Sequence, residues 1–105
     1  KIAIETSGAY PITGDLDWVC LSPKKFKLPI AENWTKVDEL KVICYNQDDF
    51  RFGEEMAKDI PSGAQKFIQP EWGKREVRMD DIVEYVKKNP DWRISLQTHK
   101  YLNIP

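Results

Sequence analysis

The chain is poor in the residues that build metal centres and phosphate loops. It holds one histidine and two cysteines in 105 residues. With no Cys-x-x-Cys, no paired His and no His at ligand intervals from carboxylates, spacing offers no metal site. Glycine is sparse as well, five in all, and Thr6-Ser7-Gly8 lacks the Gly-Lys pair of a Walker-type phosphate loop. An excess of one charge is also missing. Sixteen Lys and Arg face seventeen Asp and Glu, a net charge of -1, without the basic surplus that neutralises phosphates on nucleic acid. Direct nucleic-acid binding is therefore not expected. No apolar run approaches ~20 residues, so neither a membrane span nor a signal peptide is read, and the cytoplasm is the expected compartment. Two cysteines are too few for a disulfide scaffold. Cys20 and Cys44 lie inside the apolar runs VCLS and KVICY, which predicts buried, reduced thiols.

What is present suffices for one core. A length of 105 residues with 41% hydrophobic and 31% charged side chains fits a single unit over 1–105 and argues against disorder. Five short runs rich in β-branched and aromatic residues predict strands: Ile2–Glu5, Trp18–Ser22, Leu40–Tyr45, Gln65–Gln69 and Trp92–Gln97. Met79, Ile82, Val83 and Val86 have helical spacing, with Asp80 and Asp81 expected in the first turn, Lys87 and Lys88 in the last, and Pro90 as the stop. A second helix is predicted over about Asp49–Asp59, where Phe52, Met56 and Ile60 form a stripe. Asp48 and Asp49 read as its N-terminal acids, and Trp18, Trp34, Trp72 and Trp92 read as packing residues. Strand, helix, strand, helix, strand from residue 40 onward is an α/β order, with parallel strands joined by crossover helices. The segments 6–17 and 23–39, with Pro11, Pro23 and Pro29, show no amphipathic helix and are expected to be long loops.

Four of the five predicted strands end on a polar residue just before a loop: Glu5, Ser22, Gln69 and Gln97. In a parallel sheet all carboxyl ends share one edge, where ligands bind, so these four side chains are expected to converge. Trp92, Ile94 and Leu96 alternate with Arg93, Ser95 and Gln97, giving the last strand one apolar and one polar face.

Several segments carry a family resemblance: Ile4-Glu5-Thr6-Ser7-Gly8, Leu21-Ser22-Pro23-Lys24, Asp38-Glu39-Leu40-Lys41-Val42, Phe67-Ile68-Gln69-Pro70 and Ser95-Leu96-Gln97-Thr98-His99-Lys100. In order and spacing, over essentially the whole chain, the sequence resembles the 7-carboxy-7-deazaguanine synthases, radical S-adenosylmethionine enzymes of queuosine biosynthesis. The terminal Gln-Thr-His-Lys and the short tail to Pro105 are its most specific elements.

The resemblance implies the carboxyl-terminal half of a modified partial (β/α) barrel of radical S-adenosylmethionine type, in a homodimeric lyase. That enzyme would use a [4Fe-4S] cluster, S-adenosylmethionine and Mg²⁺, with a reductant such as flavodoxin. It rearranges 6-carboxy-5,6,7,8-tetrahydropterin to 7-carboxy-7-deazaguanine with loss of ammonia, through a 5'-deoxyadenosyl radical. Carried over by matching position, Glu5, Ser7, Ser22, Lys24 and Gln69 are cofactor-binding residues, and Gln97, His99 and the carboxylate of Pro105 bind the pterin. The family's three cluster cysteines, its Mg²⁺-associated threonine and its Gly-Gly-Glu-Pro segment have no counterpart here. No residue of this chain is thus expected to be catalytic or to ligate metal, and 105 residues alone are expected to be inactive. The chain opens on Lys1 without methionine, directly in a strand-like run, which fits an absent amino-terminal, cluster-binding half. Two other readings stand beside this one: a catalytically silent half-barrel or interaction module, and a related radical-activating protein.

Overall fold

The computed structural model describes residues 2–95. Five strands form one sheet, β1 (Ala3–Thr6), β2 (Trp18–Leu21), β3 (Glu39–Cys44), β4 (Gln65–Pro70) and β5 (Trp92–Ile94). All neighbours are parallel and their spatial order is the order of the chain, β1-β2-β3-β4-β5. Two helices join the later strands, α1 (Asp48–Ala57) between β3 and β4 and α2 (Arg75–Lys88) between β4 and β5.

The alternation of side chains along each strand divides the sheet into two unlike faces. Leu21, Leu40, Val42, Cys44, Ile68 and Trp92 point to one of them and form the core with Ile82 of α2 and Val37. Phe52 and Met56 from α1, Tyr85 and Val86 from α2, and Trp34 from the β2–β3 connection pack against this same cluster. Every connection from β2 onward therefore covers one side. The opposite face carries Glu5, Cys20, Glu39, Lys41, Phe67 and Arg93, which occupy aligned register positions. Across it Trp18 Nε1 donates to Glu39 Oε1 at 2.7 Å, and Lys41 Nζ meets Glu5 Oε1 at 2.6 Å.

Three expectations need correction. The helix predicted from Met79, Ile82, Val83 and Val86 is α2, which begins at Arg75, so its first-turn acid is Glu76 and not Asp80 or Asp81. Apolar spacing marks only the part of a helix that reaches the core. The first turn here is set by a preceding 3-10 turn, Trp72–Lys74, from which Trp72 O accepts Arg75 Nη1 at 2.6 Å. Asp81 instead pairs with Arg78 at 2.9 Å. The segment 23–39 is also not all loop, since Ala31–Lys36 forms a 3-10 helix built around Asn33. This side chain is fully buried, accepts Ile12 N–H at 3.1 Å and donates to the carbonyls of Gly8 and Tyr10, both at 2.8 Å. Polar side chains that fold a loop around themselves leave no hydrophobic period to read. Finally, β3 stops at Cys44, and Tyr45 already lies in the turn before α1, half exposed.

Gly8, just beyond β1, has φ +73°, and a Cβ built on it would stand 2.5 Å from Leu21 Cδ1 and 3.1 Å from Pro29 Cβ. Both the left-handed backbone and the absent side chain are thus used. Gly8→Ala is expected to lower stability by about 2 kcal/mol or more, from backbone strain plus overpacking. Urea denaturation checks this; an unchanged midpoint would show that the turn relaxes freely.

Candidate functional site

The carboxyl ends of β1, β2, β3 and β4 open on a cavity of about 310 Å³ lined by Glu5, Ser22, Lys24, Lys41, Ile43, Tyr45, Gln69, Glu71 and Trp72. Four residues that the sequence singled out, Glu5, Ser22, Lys24 and Gln69, are therefore neighbours around one space. Parallel pairing brings them there. Glu5 aligns with Cys20, so Ser22 lies one pleat further, just past the end of β2, and Gln69 aligns with Ile43. Ser22 and Gln69 are buried at 4% and 3% exposure. Ser22 N donates to Thr6 O at 2.8 Å, and Gln69 Oε1 accepts Ser95 Oγ at 3.1 Å. Gln69 lies within β4, and Ser22, just past the end of β2, is tied to β1 through its backbone, which limits the movement of both relative to a ligand.

The charges in this cavity are mixed. Glu5 and Glu71 supply acceptors only, while Lys24 and Lys41 supply donors only. Lys41 is engaged with Glu5, but the ammonium of Lys24 has no ion-pair partner among the described residues. A second cavity of about 290 Å³ adjoins the first, lined by Pro23, Lys24, Lys25, Phe26, Ile43, Tyr45, Asp49 and Phe52. Lys24, Ile43 and Tyr45 belong to both walls. A ligand with charged groups of both signs and a flat apolar part matches this pairing of a polar space with an aromatic-lined one.

The sequence reading missed Lys41, Tyr45, Glu71 and Trp72 as lining residues. Lys41 had a signal, a charge inside the otherwise apolar run Leu40 to Cys44, which marks a strand face that is not core. Ser7 follows β1 half-buried and does not line the cavity. Gln97, His99 and Pro105 lie outside the described residues.

The thiols occupy opposite faces. Cys20 aligns with Glu39, and Cys44 is five positions beyond Glu39 on β3, an odd step that turns it to the core side. Burial pushes the Cys20 thiol up to about 12, aided by the adjacent Glu39 carboxylate, whose Oε2 is 3.4 Å from Sγ. Burial likewise pushes Cys44 up to about 11. Both are free and buried, as expected. An iron–sulfur cluster needs thiolates brought together, and these residues do not fit one. Among the described residues no group of three His, Cys, Asp or Glu side chains is placed to hold a metal ion. No helix among them is long and apolar enough to cross a membrane.

No family model matches the chain. Curated proteins do. It is 59% identical over 105 residues to a protein of Flavobacterium psychrophilum named 7-carboxy-7-deazaguanine synthase, covering all of this chain and 50% of that protein. Proteins of the same name from Synechocystis sp. and Burkholderia multivorans are 44% and 40% identical, covering 99% of this chain and 50% and 47% of their own lengths. The chain spans about half the length of the curated relatives it matches.

Proposed function

From a chain that is similar along its whole length to 7-carboxy-7-deazaguanine synthases, we propose that it is the carboxyl-terminal, cofactor-facing half of such an enzyme. The observation that carries this reading is the convergence of Glu5, Ser22, Lys24 and Gln69 on one cavity at the carboxyl edge of the sheet. The topology supports it. A sheet whose spatial order follows the chain and whose connections from β2 onward cover one face fits the wall of a (β/α) barrel, whereas a doubly wound sheet reverses its order at a switch point. The polar face with Glu39, Lys41 and Arg93 then becomes the barrel interior.

S-adenosylmethionine fits the cavity by its chemistry. It carries a carboxylate, an ammonium, two ribose hydroxyls and a flat base. Lys24 supplies a charge-assisted donor for the carboxylate, and Glu5 and Glu71 supply acceptors for the ammonium and hydroxyls. Ser22 and Gln69 add neutral donors and acceptors at fixed positions. When bound beside a reduced cluster, this cofactor supplies the hydrogen-abstracting radical that would start the rearrangement of 6-carboxy-5,6,7,8-tetrahydropterin to 7-carboxy-7-deazaguanine. This chain's own part is to bind, orient and shield that cofactor. Cys20 and Cys44, on opposite faces of the sheet, do not fit a cluster, so on this reading its thiolates come from another part of the enzyme.

Reassembly tests the proposal. This chain is expressed with the half of the Flavobacterium psychrophilum synthase that it does not match, and product is followed by mass spectrometry under reducing, anaerobic conditions. The expected result is 7-carboxy-7-deazaguanine from the pair and none from either piece. A pair that reconstitutes its cluster and associates yet makes no product would contradict the reading.

A further inference from the structure

The segment after β2 carries three lysines within four positions, Lys24, Lys25 and Lys27, and the structure gives them different tasks. Lys27 reaches back to the β1–β2 connection, where its Nζ donates to Tyr10 Oη at 2.6 Å and lies 4.2 Å from the centre of that ring. Lys25 reaches the other way. Its Nζ is 2.5 Å from Asp49 Oδ1 and 5.6 Å from the centre of the Phe52 ring, both on α1. Lys24, beside it, faces the two cavities. The turn between Lys24 and Lys27 is closed by Lys27 N donating to Lys24 O at 3.2 Å.

Asp49 is the fixed point of this arrangement. It is 3% exposed, and its Oδ2 accepts the backbone N–H groups of Tyr45 at 2.7 Å and Asn46 at 3.0 Å. One carboxylate thus binds the end of β3, the start of α1 and the loop after β2. Burial opposes its charge, but the Lys25 ammonium and the two backbone donors outweigh burial and hold the carboxyl below its ordinary range. Holding the turn between β3 and α1 accounts for Oδ2 alone. Oδ1 is given to Lys25, whose side chain is half exposed while that of Asp49 is buried. What this pair fixes is the height of the loop over the sheet edge.

We infer that Lys25 and Asp49 are positioning residues for cofactor binding, a latch that sets Lys24 against the shared wall of the two cavities. This rests on the assignment of Lys24 to S-adenosylmethionine above. In the reassembled enzyme, Lys25→Met and Asp49→Asn are expected to weaken S-adenosylmethionine about tenfold in a calorimetric titration, with Lys25→Arg within about twofold of the parent. Lys25→Met removes the cation from a buried carboxylate but leaves Asp49 its two backbone donors, so its melting midpoint is expected to fall without loss of folding; it stays informative if Asp49→Asn fails to fold. If the latch acts through Lys24, adding Lys25→Met to Lys24→Ala should cost nothing further. Full additivity of the two substitutions, or unaltered binding by Lys25→Met while Lys24→Ala binds poorly, would overturn the latch. Unaltered binding by Lys24→Ala would instead overturn the cofactor assignment of that lysine, and the latch with it.

Discussion

Iron and sulfide added anaerobically to this chain alone are expected to give no [4Fe-4S] cluster, and the absorbance of such a cluster should stay at baseline after desalting. The reason lies in the sheet. Cys20 and Cys44 occupy opposite faces of it, both buried, and both thiols are held above their ordinary range by that burial. A ligand set needs thiolates on one side of the backbone and close together, and a cluster at either cysteine would have to be inserted into core or replace the Glu39 contact. The effect is all or none, since the first iron has no second thiolate to bind. A stoichiometric cluster on the isolated chain would contradict both the structure and the division of labour proposed for the two halves.

Trp92→Ala is expected to be the most damaging single substitution for folding. This side chain is 1% exposed, and it sits where a Cβ on Gly53 would come within 3.1 Å of its Cη2, so α1 approaches β5 through a gap left for the ring. Tyr85 meets it edge-on at 6.2 Å, and its Nε1 donates to Glu54 Oε1 at 3.4 Å. The Tyr85 hydroxyl donates to the same carboxylate. Removing the ring costs about 3–5 kcal/mol, set against a typical total of about 5–15 kcal/mol. Urea denaturation should show a midpoint far below that of the parent for the alanine variant, whereas Trp92→Phe retains most of the packing. A loss under about 1 kcal/mol would mean that α1 collapses onto β5.

The sheet was legible because its signals are local and strong. Short apolar runs such as Leu40 to Cys44 between turn residues can be little else, and polar ends such as Ser22 and Gln69 follow from strands that stop at a common edge. Even the convergence of Glu5, Ser22 and Gln69 required only parallel pairing, whereas Lys24 entered through the family resemblance. What escaped was everything held by one polar group acting at a distance. Asn33 organises two loops from a 3-10 helix, and nothing adjacent to it in sequence announces three partners up to 25 residues away. Asp49 reads as an ordinary N-terminal acid, which it is, but its second oxygen serves a lysine 24 positions earlier. The start of α2 escaped for a different reason, because its first turn is set by Trp72 and Arg75 rather than by a core-facing stripe.

The proposed function requires the cavity at the carboxyl edge of the sheet to bind S-adenosylmethionine, with Lys24 as its carboxylate contact. Titration of the reassembled enzyme with S-adenosylmethionine, and separately with the pterin, tests this most directly when the parent is compared with Lys24→Ala. The account predicts that the substitution costs about 1.5–3 kcal/mol of cofactor binding, about tenfold or more in Kd, with the pterin affinity nearly unchanged. Equal weakening of both ligands, or undiminished cofactor binding, would contradict it.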